Sequence, residues 1–405
     1  MRYLAPSGAP IRLGDLARWA GQALTPADCH AALADLVRTR FGVRHAAFTS
    51  TGRAGMTLLL QAMRRLSPHR DEVAMPSYTC YSVAASAVKA GLKVRLLDIN
   101  PDTLDFDSDD LGRNDFSRVL AIVATNLYGL PNDLPALSAI ARRYGAFLID
   151  DAAQAMGASI GGRASGAWGD AGLFSFDKGK NVSAIDGGIV VTGSDKIAAA
   201  LEDEMAALPL PRVADSALHV AKALAYFTLL RPSLYGIPAR IPQLGLGKTI
   251  FTTEFPLHRA DPRLVALGLV MMKRLDEFTN ARVSRATALL DGLRGAPGIR
   301  TITLKPGAMP AYLRLPVLLG NATERQAAIA ALTADGIGAT ASYPESLADV
   351  PELRPYLVNP TARMAGGRFI AQRIVTLPTH PFVSSADIAR VIATLRKGTT
   401  TACAA

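Results

Sequence analysis

The stretch RVLAIVATNLYGLPNDLPALSAIARRYGAFLIDDAAQ, residues 118–154, reads as strand, helix, strand, with an acidic pair where the second strand ends. An apolar run, RVLAIVAT, leads into a helical segment, DLPALSAIARRYG, and a second short run, AFLID, follows it. The same alternation extends outward from about residue 43 to residue 192. On the N-terminal side lie HAAFTS, a helix through AGMTLLLQAMRRL, EVAMP, a helix through YSVAASAVKAG, and KVRLLDI; on the C-terminal side lie AGLFSF and GGIVVTG. Strands that alternate with helices predict an α/β fold whose mainly parallel sheet is covered by helices on both faces. Ligands of such sheets sit at the carboxyl ends of the strands, so the segments that follow the strands are where chemistry is sought.

Beyond residue 195 the pattern changes. LVALGLVMMKRLDEFTNARVSRATALLDGLRG reads as one long helix, and a smaller α+β portion follows, with AYLRLPVLL and IVTLP as strands. The domain boundary is placed near Pro297, giving a large domain over 1–297, a small one over 298–397, and a tail, 398–405, expected to be disordered. Residues 218–247 are strongly apolar, yet Lys222, Arg231 and Pro232 interrupt them short of the ~20 residues a membrane span needs. They are read as a helical insertion packing on a partner subunit or, alternatively, as an interfacial element in peripheral contact with a membrane.

A chain of 405 residues, 49% hydrophobic and 19% charged, has the composition of a globular enzyme rather than a disordered segment. Its net charge of +10 is spread along the chain without a dense basic run, which argues against nucleic acid as a partner. Cys29, Cys80 and Cys403 form no CxxC pair and the histidines no HxxxH, so no metal site is expected. The first residues show no secretory apolar core, and the expected compartment is the cytoplasm.

Three segments fall at strand ends. In LIDDAAQ, the acids Asp150 and Asp151 precede Gln154; an acid in such a place can pair with a cationic ring nitrogen, or simply cap a helix. In TSTGRAGM, backbone N–H groups near Thr51, Gly52 and Arg53 make a phosphate seat, although the same residues are ordinary capping chemistry. In FSFDKGKN, Ser175 can also reach a phosphate, and Lys178 or Lys180 can serve as a Schiff-base nucleophile or lie solvated in a loop.

Together and in this order, TGRAGM, IDDAAQAMG, SFDKGKN and IDGGIVVTG resemble the DegT/StrS family of pyridoxal-phosphate-dependent sugar aminotransferases; VATNLYGLPNDLPALSAIARRYG, GIGATASYP and LPTHPF extend the likeness, and residues 218–255 match poorly. The resemblance implies an aminotransferase-like (fold type I) large domain. Counting the family's S-F-x-x-x-K from Ser175 reaches Lys180, which it makes the Schiff-base lysine and proton carrier. It assigns Asp151 to the ring nitrogen of pyridoxal 5'-phosphate, Gln154 to the ring's 3-hydroxyl, and Ser175 with Thr51, Gly52 and Arg53 to the phosphate. The implied reaction moves an amino group from glutamate to a keto sugar of a sugar nucleotide, feeding polysaccharide or glycoconjugate synthesis, in a homodimer.

Several positions depart from the family pattern. Arg53 replaces a Thr. Cys80 stands where a ring-stacking aromatic is usual, which leaves Tyr81 as the expected stacking residue, with Tyr78 a candidate for substrate or dimer contact. Asn126 takes the place of a histidine, and Leu257-His258-Arg259 the place of Asn-Tyr-Arg, making Asn126 and Arg259 candidates for substrate or dimer contact. The departures leave two other readings open: the same chemistry on a larger or lipid-linked ketone, and a regulatory or binding homologue without catalysis.

Overall fold

A computed structural model describes residues 2–241 and 249–402. Seven strands form its main sheet: β1 (His45–Thr49), β2 (Glu72–Pro76), β3 (Lys93–Leu97), β4 (Val119–Thr125), β5 (Phe147–Asp151), β6 (Ala171–Ser175) and β7 (Gly188–Thr192), in the order β1-β7-β6-β5-β4-β2-β3. Only β7 runs against the others. Every residue of β4 is buried, as an apolar strand at the centre of a sheet covered on both faces requires.

Because β1, β2, β4, β5 and β6 point the same way, Thr49, Pro76, Thr125, Asp151 and Ser175 all end at one edge of the sheet. The antiparallel β7 begins at that edge, with Gly188 opposite both Thr49 and Ser175. Gly188 is required there: a Cβ would stand 2.6 Å from the Thr51 carbonyl oxygen. The helix Gly52–Leu66 packs its Met56, Leu58, Leu59, Leu60 and Met63 into the core, and Thr51 caps it by accepting a hydrogen bond from the Ala54 amide at 2.9 Å.

C-terminal to the main sheet, strands β8 (Arg314–Leu318) and β9 (Ile374–Pro378) pair antiparallel beside a two-residue strand at Arg300–Thr301. Residues from both ends of the chain close on this part: Leu4 bridges to Ile337, Arg2 pairs with Asp387 at 2.8 Å, and His380 meets the Ala5 carbonyl. Buried side chains form one continuous cluster from Met56 and Leu58 to Val317, Val375 and Leu395.

Two expectations change. The long helix is two, Pro262–Met272 and Leu275–Leu293, because Arg274 turns inward to the Pro10 carbonyl and to Asp15 and Glu277. The tail is helical as far as Ala402, continuing the Ser385–Ala402 helix whose Val391 and Leu395 are buried; 403–405 lie outside the described residues. In the insertion, the helix Val213–Leu229 and the short helix Gly236–Ala239 lie along a cavity of the same chain, with Leu218 and Leu224 exposed; 242–248 lie outside the described residues. Among the described residues, no helix is long and apolar enough to cross a membrane.

Candidate active site

Lys180 sits in the loop that leaves β6, and that loop is held at three successive carbonyls. Tyr226 donates to Lys178 O at 2.8 Å, Ser7 to Gly179 O at 3.0 Å, and Arg282 Nη2 to Lys180 O at 3.4 Å. These donors come from the insertion helix, the N-terminal segment and the Leu275–Leu293 helix, so distant parts of the chain converge on the lysine. Arg282 is fully buried and also donates to Gly8 O and Leu313 O, at 2.8 and 3.2 Å. Burial draws its pKa down to about 10. Arg282→Met is expected to lower stability by roughly 3 kcal/mol, since it leaves three carbonyls without this donor. Urea unfolding checks this, and an unchanged midpoint would refute it.

Lys180 and Lys178 both line a cavity of about 470 Å³ at the carboxyl edge of the sheet, together with Thr51, Gly52, Arg53, Cys80, Asn126, Asp151, Gln154 and Ser175. Lys178 is the more exposed of the two lysines.

The adjacent acids have different surroundings. Asp150 points into the protein, where it accepts from the Gly166 amide at 2.6 Å, the Trp168 amide at 3.2 Å and Asn126 Nδ2 at 2.8 Å. Burial nevertheless pushes its pKa up to about 6. Asp151 faces the cavity, with Oδ1 accepting from the Ala153 amide at 3.0 Å. Burial raises its pKa, opposed by that amide and by the Lys180 ammonium.

At the other end of the cavity, Gly52 opens its helix against Ser175, where an added Cβ would stand 3.2 Å from Ser175 Cβ. Arg53 reaches over the Phe255 ring at 5.1 Å. Two hydroxyls in the cavity wall, Thr79 Oγ1 and Thr125 Oγ1, are buried without a hydrogen-bond partner. The ends of the cavity are therefore complementary: helix-terminal amides and hydroxyls suited to a phosphate on one side, a carboxylate and an amine on the other.

Tyr81 does not occupy the expected position. It opens the Tyr81–Lys89 helix on the side away from the cavity, bonds the Glu345 carbonyl at 3.1 Å and stacks on Tyr343, while Cys80 and Ser82 face the cavity. Tyr78 is fully buried, with its hydroxyl 3.4 Å from that of Tyr128, and lines neither this cavity nor the second one described below. Asn126 is buried and holds the acid pair: Nδ2 donates to Asp150 and to the Asp151 carbonyl, and Oδ1 accepts from the Asn132 amide. Arg259 is exposed, donates to the Ala206 carbonyl, and lines neither this cavity nor the second one described next.

A second cavity, about 690 Å³, adjoins the first through Gln154, Asp177, Lys178, Lys180 and Thr249. Gln154 stands between the two, accepting from the Tyr128 amide at 3.0 Å and donating to Tyr343 Oη at 2.7 Å. Insertion residues Lys222, Ala225, Tyr226 and Leu229 form one wall, and Arg314, Thr340, Ser342 and Tyr343 another. Tyr128 and Ser342, both lining it, hold left-handed backbone angles of φ 58° and 61°. Non-glycine residues rarely adopt such angles, and they concentrate at functional sites. Arg314 and Tyr343 carry no motif of their own; the only signal for Tyr343 is its place in GIGATASYP.

The chain matches the DegT/DnrJ/EryC1/StrS aminotransferase family over residues 20–208 and 261–396, leaving the insertion outside. It is 38% identical over 129 residues to the pleiotropic regulatory protein of Geobacillus stearothermophilus, spanning 35% of that protein's length. With the dTDP-4-dehydro-2,3,6-trideoxy-D-glucose 4-aminotransferase of Saccharopolyspora spinosa it shares 28% identity over 85% of this chain and 82% of the relative. Its fold is that of the sugar aminotransferase CalS13 from Micromonospora echinospora, with a TM-score of 0.78 at 22% identity over 98% of this chain and 100% of the other. The chain belongs to the DegT/DnrJ/EryC1/StrS aminotransferase family.

Proposed function

We propose that this protein is a pyridoxal-phosphate-dependent aminotransferase that moves an amino group from glutamate to a keto sugar of a sugar nucleotide, in the cytoplasm and as a homodimer, with a large domain over 1–297 and a small one over 298–397. The observation that carries the reading is one cavity with Lys180 and Asp151 on one side and the Thr51–Gly52–Ser175 corner on the other. When bound, pyridoxal phosphate supplies an electron sink that acidifies the carbon bearing the amino group. The Gly52 amide and the hydroxyls of Thr51 and Ser175 bind its phosphate, with Arg53 adding charge. Asp151 keeps the ring nitrogen protonated through its carboxylate. With the cofactor in place, Lys180 Nζ would take up and hold the proton from the donor's amine-bearing carbon. Gln154, Thr79 and Thr125 offer hydrogen bonds to the ring's polar edge.

One relative is named a pleiotropic regulatory protein, but a catalytic reading is favoured because both Lys180 and Asp151 line the same cavity. The apolar wall of Ala225, Leu229, Leu230 and Pro238 in the second cavity favours an acceptor with apolar surface, so larger ketones are to be tested beside sugar nucleotides.

The test is the visible absorption of protein loaded with pyridoxal phosphate, before and after glutamate, followed by mass spectrometry of candidate keto sugar nucleotides. A band that bleaches with glutamate and returns with the keto sugar supports the proposal; a colourless protein refutes it. Gly52→Val is expected to weaken binding of the cofactor by roughly 10- to 100-fold through crowding against Ser175. Fluorescence titration of cofactor-free protein measures this, and wild-type affinity in the variant would move the phosphate site elsewhere.

A further inference from the structure

Two buried or partly buried guanidinium groups lie near Lys180, and the protein answers them unequally. Arg282 donates to three carbonyls and lines neither cavity. Arg314, at the start of β8, lines the second cavity and, among the described residues, makes one hydrogen bond, from Nη1 to Thr340 Oγ1 at 3.1 Å, while its buried Nε has no partner among them. The tyrosines Tyr343, Tyr128, Tyr235 and Tyr78 are its strongest favourable electrostatic neighbours, and Arg282 is a further charge beside it. Asp177 is the one acid among the described residues around this cavity, against Lys178, Lys180, Lys222 and Arg314. Residues 242–248, outside the described part, include no Asp or Glu.

A guanidinium drawn out of water with most of its N–H donors unanswered is unfavourable until an anion completes it. Its planar fork fits a carboxylate through two parallel hydrogen bonds. The flanking groups, Thr340, Ser342 and Tyr343, are neutral hydroxyls, so this corner matches a single negative charge. An amino donor carries its amine and a carboxylate on the same carbon. A carboxylate site must therefore open onto the space that holds the lysine, and Arg314 and Lys180 line the same cavity. We propose that Arg314 is the carboxylate-recognition residue of the second cavity, holding the amino donor's carboxylate so that its amine faces Lys180. The identity of the donor rests on the aminotransferase reading; the anion site does not.

The test is calorimetric binding of glutarate, a dicarboxylate without an amine, to protein loaded with pyridoxal phosphate. Wild type is expected to bind glutarate and not the neutral diamide glutaramide. Arg314→Gln should weaken glutarate binding by roughly 10- to 100-fold and raise the KM for L-glutamate in parallel, with the visible band kept; Arg314→Lys should recover part of the loss. Equal glutarate affinity in wild type and Arg314→Gln overturns the proposal. So does wild type that binds glutaramide as well as glutarate, a comparison that needs no variant. Inorganic phosphate binding that depends on Arg314, with glutarate binding independent of it, also overturns the carboxylate assignment. Glutarate affinity that depends on Arg314 in a protein that transfers no amino group upholds this site and overturns the proposed function instead.

Discussion

Lys180→Ala is expected to lower the rate of amino transfer by roughly 10²- to 10⁴-fold, the range that positioned proton transfer contributes, or about 2.7–5.5 kcal/mol of barrier. The effect should be chemical rather than structural. The loop is held through main-chain atoms, Lys180 N donating to Asp177 O at 3.0 Å and Lys180 O accepting from Arg282, and the substitution leaves both in place. The phosphate corner is formed by residues from other elements, so the variant should still bind pyridoxal phosphate. Rapid mixing with glutamate, followed by absorption, separates the two effects. Retained cofactor with a lost spectral response is the expected result; a normal response in Lys180→Ala would show that another group moves the proton. Lys178→Ala should keep the response, because Lys178 is the more exposed lysine of the pair.

The choice of Lys180 over Lys178 rests on the family's S-F-x-x-x-K spacing from Ser175, and both lysines line the cavity because they lie in one short loop. The acid pair that includes Asp151 was legible locally, because an apolar run and an acidic end mark a strand and its carboxyl terminus. The sheet was legible for a similar reason: seven short apolar segments, each bounded by polar or glycine-containing loops, correspond to the seven strands of the main sheet.

What sequence reading missed depends on side-chain direction or on contacts between distant segments. Tyr81 and Cys80 are adjacent, and only the phase of the helix they begin decides which one meets the cavity. Asn126 stands near the expected acids, yet its amide is engaged by Asp150, Asp151 and Asn132, which no local pattern reveals. Arg314 and Tyr343 come from more than a hundred residues beyond Lys180. The Lys273–Arg274 break interrupts a run with helical periodicity on both sides, and its cause is a set of contacts to residues 10 and 15.

The adjacent acids allow a sharp final test, because the same substitution should have opposite consequences at each. Asp151→Asn is nearly isosteric, and a side-chain carbonyl can still accept from the Ala153 amide, so folding and cofactor binding should change little. What it removes is the negative charge that keeps the ring nitrogen protonated. The expected loss in kcat is roughly 10³-fold, about 4 kcal/mol, with the visible band altered in position. Asp150→Asn instead substitutes an amide for a carboxylate that accepts from the Gly166 and Trp168 amides and from Asn126. An amide offers one acceptor atom where two oxygens now serve three donors, and its N–H₂ group would confront an N–H. This variant should lose roughly 2–3 kcal/mol of stability, with its remaining folded fraction still showing the cofactor's response to glutamate. Thermal unfolding and single-turnover absorption on both variants decide the matter. If Asp150→Asn loses the chemistry with its fold intact, or Asp151→Asn keeps it, the pairing of Asp151 with the ring nitrogen is wrong.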